Sequence, residues 1–135
     1  MIACLDTNCV IYLLESTPTW GPKVVARVAK LRAAGDEIAV TDLARTECLV
    51  GPLASGDAAM LANYQTFFAN PNIRVLSLTS VVCERAARIR VAAGLKLKVP
   101  DCLHLAAAIE HGCGLFLTND AQLLLCPDIP VEVLT

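Results

Sequence analysis

Thirteen of the 135 residues are acidic, and four of them sit where solvation alone does not require a carboxylate. Asp6 directly follows the apolar run Ile2–Leu5, and Asp120 comes just after a second such run, Leu115–Thr118. Glu47 lies amid Leu43, Cys48, Leu49 and Val50, while Asp101 follows Pro100 at the start of an alanine-rich stretch. Four carboxylates brought to one place repel each other, and some would have to take up protons. A bound cation removes that cost, and ligands that are all oxygen select a hard ion such as Mg2+ or Mn2+. Singly, each acid has a plainer reading: Asp6 and Asp120 as helix N-caps, Asp101 as a first-turn residue favoured by the helix dipole. That reading leaves Glu47 unexplained and makes a shared location coincidence.

The location depends on the elements that carry these residues. Ile2–Leu5 is short and apolar enough for a buried strand, and Thr7 or Asn8 can cap a helix through about Glu15. Pro22 suits the first position of a second helix and Gly35 its terminator. Glu37–Val40 predicts a second strand, with Thr41 or Asp42 capping the helix of Glu47. After Asp57, Met60, Leu61, Tyr64, Phe67 and Phe68 form one helical stripe, read as core or interface and not as a base-stacking platform. Ile73–Leu78 is the third strand, and a helix capped by Thr79 or Ser80 runs to Gly94. Pro100 opens a helix that stops at Gly112, Asp120 begins a short helical turn, and Val131–Leu134 is a last strand. The alternation predicts one domain over residues 1–135, a three-layer α/β/α sandwich around a mainly parallel central sheet. In such sheets ligands collect at the carboxyl ends of the strands, where Asp6 and Asp120 fall.

Composition narrows the function classes. A net charge of −2 argues against binding nucleic acid through bulk positive charge. Only local clusters are available: Lys96 and Lys98 just before Asp101, Arg85, Arg88 and Arg90 upstream, and the stripe Lys23, Arg27 and Lys30. Each is equally readable as a solvated helix face. The seven cysteines are scattered without a Cys-x-x-Cys, which fits a reducing cytoplasm better than a disulfide framework or zinc site. No apolar run is long enough to span a bilayer, and no secretory signal opens the chain. The hydrophobic fraction of 56% is high for so small a domain, and predicts that some apolar surface is covered by a partner. Val10, Ile11, Leu14, Val24 and Val28 on the early helices are the candidates.

Four segments in order resemble the PIN-domain family: Asp6-Thr7-Asn8, Glu47 in the third helix, Val99-Pro100-Asp101, and Thr118-Asn119-Asp120. The middle stretch from Thr46-Glu47-Cys48 through Gly51-Pro52 and Tyr64 to Phe67-Phe68 further resembles the VapC-type toxins of toxin–antitoxin pairs. That resemblance implies hydrolysis of RNA by metal-activated water, leaving a 3′-hydroxyl and a 5′-phosphate. It implies Mg2+ or Mn2+ as cofactor, a cognate antitoxin as partner, and a homodimer. Asp6 and Asp101 would ligate directly, with Asp120 and Glu47 acting directly or through water. Asn8, Thr118 and Asn119 would hold the carboxylates in place. No side-chain nucleophile competes, since the chain has no Gly-x-Ser-x-Gly and no recognisable Cys/His spacing. His104 and His111, seven apart on one helix, read as structural, because imidazole is not what Mg2+ prefers. A phosphatase or DNA nuclease with the same carboxylates stays open, as does a binding module with a structural metal.

Overall fold

The computed structural model describes residues 1–135. Five strands, β1 (Ile2–Leu5), β2 (Glu37–Thr41), β3 (Ile73–Leu76), β4 (Leu115–Thr118) and β5 (Val131–Val133), form one sheet in the order β3-β2-β1-β4-β5. Every neighbouring pair is parallel, so the sheet is wholly parallel. Six α-helices connect the strands: α1 (Thr7–Leu14), α2 (Trp20–Ala33), α3 (Asp42–Ser55), α4 (Ala58–Ala69), α5 (Ser80–Ala92) and α6 (Val99–Glu110), with a 3-10 turn at Ala121–Leu125.

Strand side chains alternate between two separate cores, which is why β1, β4 and the body of β2 read as apolar runs while the outer strands β3 and β5 carry Arg74 and Glu132. Ala3, Leu5, Ile38, Val40 and Leu117 face one way and pack on α1, α2, α3 and α4 through Val10, Leu31, Cys48 and Tyr64. Cys4, Ala39 and Phe116 face the other way, onto α5 and α6 through Val82, Ile89, Leu105 and Ala108. The result is a helix–sheet–helix sandwich.

Several expected boundaries shift for local reasons. Asp6, and not Thr7 or Asn8, caps α1, accepting the Thr7 N–H at 2.8 Å. Helix α2 begins at Trp20, two residues before Pro22. Thr19, at φ 70°, turns the chain there, and the Trp20 ring stacks on Tyr12 with centroids 5.8 Å apart. Strand β3 stops at Leu76, short of Leu78. The early helices present only part of the expected apolar excess. Val10 and Val24 are fully enclosed, while Ile11, Leu14 and Val28 are partly buried against the same core. Further apolar surface is offered by Val25 on α2 and by Val50 and Leu53 on α3.

From the strand order, the chain winds from β1 outward to β2 and β3, then returns to the other side of β1 for β4 and β5. The reversal point therefore lies between β1 and β4, and the rule for open parallel sheets puts the binding crevice at their carboxyl ends.

Candidate active site

The crevice is bordered by Asp6, the residue after β1, and by Asn119 and Asp120, which follow β4. Asp6 is 6% exposed and both its oxygens are engaged. Oδ1 accepts the Thr7 N–H at 2.8 Å, and Oδ2 accepts the Thr118 hydroxyl at 2.7 Å. Thr118 Oγ1 also accepts the Asp120 N–H at 3.0 Å, so one threonine ties two of the acids to the end of β4. Asp120 in turn caps the 3-10 turn, its Oδ1 accepting the Gln122 N–H at 2.9 Å. Capping and clustering thus coincide, because each carboxylate has more acceptor capacity than one cap uses.

Asp101 enters from the first turn of α6, behind Lys98 at the N-cap and Pro100 within the first two helical positions. It is partly buried, and its carboxyl is held above the ordinary carboxylate range. Burial is the largest cause, followed by the charges of Asp6 and Asp120, with Glu47 adding a smaller push against a favourable effect of His104. The charges of the three other acids all reach Asp101. No three of the acids lie close enough together to share an ion.

Glu47, in the second turn of α3, makes all its protein contacts through Oε1. That atom accepts the Thr7 hydroxyl at 2.8 Å and meets His104 Nε2 at 2.6 Å. The His104 bond is the main reason its carboxyl lies below the ordinary range; burial opposes, and Thr7 assists. His104 is 1% exposed, and its Nδ1 lies 2.7 Å from Thr41 Oγ1. His111 is at the opposite end of α6, with Nε2 2.9 Å from the Ser77 carbonyl.

Asn8 and Asn119 touch none of the four carboxylates. Asn8 Nδ2 donates to Asn119 Oδ1 at 3.4 Å, and Asn119 Nδ2 donates to the Tyr12 hydroxyl at 2.7 Å. They link the crevice to the Tyr12–Trp20 stack, over which the Lys23 ammonium lies 5.0 Å from the indole centroid. Thr41, His104, Tyr12 and Trp20 are the residues that sequence reasoning did not place at this edge. Only the short step of His104 beyond Asp101 on one helix could have signalled the first pair.

The cations separate into committed and uncommitted groups. Arg85 is ion-paired with Glu110, nine residues beyond Asp101 and so about 13 Å further along the α6 axis. Arg90 donates to the carbonyls of Leu95 and Leu97, bracing the turn before α6, and Arg27 forks onto Glu132. Lys96, Lys98 and Arg88 are exposed. Of these, Lys98 directly precedes the helix that carries Asp101.

The family profile of the PIN domain matches residues 3–125. Sequence comparison with curated proteins returns no match. Among solved structures, the chain is similar to the VapBC2 complex of Rickettsia felis bound to a promoter DNA fragment, at TM-score 0.81 and 18% identity over 100% of both chains. It is also similar to FitAcB from Neisseria gonorrhoeae, at TM-score 0.75 and 22% identity over 97% of this chain and 96% of that one. A third similar structure is VapC20 of Mycobacterium tuberculosis, described as a sarcin-ricin loop cleaving toxin, at TM-score 0.77 and 14% identity over 98% and 99%. Likenesses at these identities speak to the fold, and the profile match covers nearly all of the chain: it belongs to the PIN-domain family.

Proposed function

We propose that this chain is a metal-dependent endoribonuclease, the VapC-type toxin of a toxin–antitoxin pair, with Asp6, Glu47, Asp101 and Asp120 as one cation site. The observation that carries the reading is the state of Asp101. Its carboxylate is half-buried, the charges of three other acids act on it, and no hydrogen bond is among the influences upon it. Proteins ordinarily pair or hydrate a buried charge, and a residue serving only the helix dipole would stay in water.

The donors available suit a hard divalent ion. Asp101 has both oxygens uncommitted, while Glu47 keeps Oε2 and Asp120 keeps Oδ2. Asp6 and Asp101 would hold Mg2+ or Mn2+ directly, with Asp120 and Glu47 bound directly or through water. Such an ion supplies acidified water and shields the charge that develops on a phosphodiester. The protein fixes the plane of Asp6 through Thr7 and Thr118, and offers Lys96, Lys98 and Arg88 to the RNA backbone.

The exposed apolar residues support the partners. Val25, Val50 and Leu53 on the early helices would receive an amphipathic antitoxin segment. The apolar cleft of about 410 Å³ between α5 and α6, bordered by Val91, Leu95 and Val99, would be covered by a second copy. A side-by-side digest of RNA, DNA and small phosphate esters, with Mg2+, Mn2+ or EDTA, tests the activity. Cleavage of RNA alone, reversed by EDTA, is expected. Hydrolysis confined to DNA or to esters would replace the ribonuclease reading, and none with either ion would refute catalysis.

A further inference from the structure

We infer that His104 is a positioning residue for Glu47, clamping Oε1 so that Oε2 is the oxygen offered to the other acids. The inference rests on the cation site proposed above, and concerns what keeps one of its four carboxylates in place. Glu47 has reason to leave. Its side chain is 36% exposed, it has three rotatable torsions, and the cluster it borders is uniformly negative. Unrestrained, a glutamate in that position swings outward into water and away from Asp6, Asp101 and Asp120.

The hydrogen-bond pattern opposes that movement. A carboxylate only accepts, so His104 Nε2 carries a proton and donates to Glu47 Oε1 at 2.6 Å. The other ring nitrogen, Nδ1, is hydrogen-bonded to Thr41 Oγ1 at 2.7 Å, a hydroxyl that also accepts the Ala44 N–H at 3.2 Å. The Thr7 hydroxyl donates to the same oxygen at 2.8 Å. Two donors from α6 and α1 converge on Oε1, and no buried polar atom is left without a partner. Core packing alone does not call for this ring. An aliphatic side chain would occupy a site 1% exposed without the cost of burying two nitrogens. What imidazole adds is a rigid span from Thr41 at the end of β2 to Glu47 on α3, passing beside Thr7, the neighbour of Asp6.

The test compares His104→Leu and His104→Gln in the full chain, measuring Mn2+ affinity by titration calorimetry together with kcat and KM for RNA cleavage. His104→Leu should weaken Mn2+ binding about 10- to 100-fold, the usual loss when support behind a ligand is removed. The fall in activity should lie in kcat, with KM for RNA nearly unchanged. His104→Gln, whose amide N–H can replace Nε2–H, should recover most of the affinity. In a Glu47→Ala background the leucine substitution should have no further effect on Mn2+ affinity, because its target is gone. An equal loss in that background, or Mn2+ affinity within about twofold of wild type in His104→Leu, overturns the clamp. Should His104→Leu fail to fold, His104→Asn takes its place: its shorter amide can still meet Thr41 but cannot reach Oε1, and unchanged Mn2+ binding there overturns the clamp equally. Asp101→Asn distinguishes the two levels: its loss of Mn2+ binding alongside an unaffected His104→Leu sinks only the clamp. A wild-type chain that binds no Mn2+ sinks the cation site and the clamp with it.

Discussion

Neutralising Asp101 should make the protein more stable without metal and less stable with it. Asp101→Asn keeps the shape of the side chain and removes its charge from a neighbourhood shared with Asp6, Asp120 and Glu47. Two like charges about 7 Å apart cost ~0.6 kcal/mol in water and ~2.4 kcal/mol at an effective dielectric of ~20. Asp101 is partly solvated, so relief from its two strongest neighbours amounts to about 1–2 kcal/mol. Against this, a first-turn carboxylate gives up about 0.3–1 kcal/mol of helix-dipole stabilisation when neutralised. The net gain in EDTA is about 1 kcal/mol, or roughly 4 °C in Tm for a domain of this size.

The sign of the pH dependence follows from the raised carboxyl. Between the unfolded pKa, near ~4, and the higher folded value, the native state binds more protons than the unfolded one, so wild-type stability falls as pH rises. The gap between variant and wild type should thus vanish below about pH 4, widen through that window, and stay constant above it. Adding Mn2+ should invert the order, since 100-fold saturation stabilises only a chain with an intact site, by about 2.7 kcal/mol. Differential scanning fluorimetry across pH, with EDTA and with Mn2+, reads all three effects. A variant no more stable than wild type in EDTA, and equally raised by Mn2+, would refute the idea that these acids form one site.

Asp6→Asn should also abolish RNA cleavage but, unlike Asp101→Asn, lower Tm in EDTA. Its amide nitrogen must face either the Thr7 N–H or the Thr118 hydroxyl, a loss of about 1 kcal/mol or more, visible by thermal denaturation. Glu47 has the opposite linkage to Asp101. Its lowered carboxyl contributes stability above its unfolded pKa that is lost as pH falls through the folded one, and Glu47→Gln should lack that acid-side loss. Because the side chain is partly exposed, the effect should stay below about 1 kcal/mol in melts between pH 6 and 3. Lys96→Glu with Lys98→Glu should weaken RNA binding independently of sequence and flatten its salt dependence, read by filter binding at several salt concentrations. Light scattering should find a dimer, and a larger complex with the cognate antitoxin; a monomer indifferent to any antitoxin would leave the nuclease reading standing and remove the toxin reading.

The central strands were legible because both faces of the sheet are covered there, so β1 and β4 read as apolar runs with an acid just beyond their ends. That same pattern puts Asp6 and Asp120 at one edge from the sequence alone. Helix starts were less legible. Asp6, Thr7 and Asn8 are all good cappers in isolation, so the sequence leaves the α1 cap open among them, and the Thr118 contact from β4 together with the Thr7 N–H orients Asp6. Helix α2 starts at Trp20, after Thr19 at φ 70° and with the Trp20 ring stacked on Tyr12, so Pro22 falls at the third helical position, still within the first turn where its missing N–H has no partner to lose. The partners of Asn8 and Asn119 were missed for a related reason: a short amide's partner is set by tertiary neighbours, here Asn119 for Asn8 and the Tyr12 hydroxyl for Asn119. Counting apolar residues on the early helices overestimated their free surface, since it could not tell that Val10 and Val24 meet the sheet.

The four acids also differ in what holds them, and the difference bears on how such a site is built. Asp6 and Asp120 are retained by caps and by Thr118, interactions that would exist without any ligand. Glu47 is retained by His104 and Thr7. Asp101 alone has burial and like charges against it and no hydrogen bond to set against them. Each of the first three is satisfied locally, so the repulsion of the whole cluster is concentrated on one side chain at the mouth of α6. A cation entering the crevice would relieve that side chain most. An arginine of an antitoxin, able to pair with two carboxylate oxygens at once, would find the same unmet demand there. Inhibition by such a residue would then need no separate site: it would occupy the place where the carboxylates lack a positive charge, excluding the ion and the phosphodiester together.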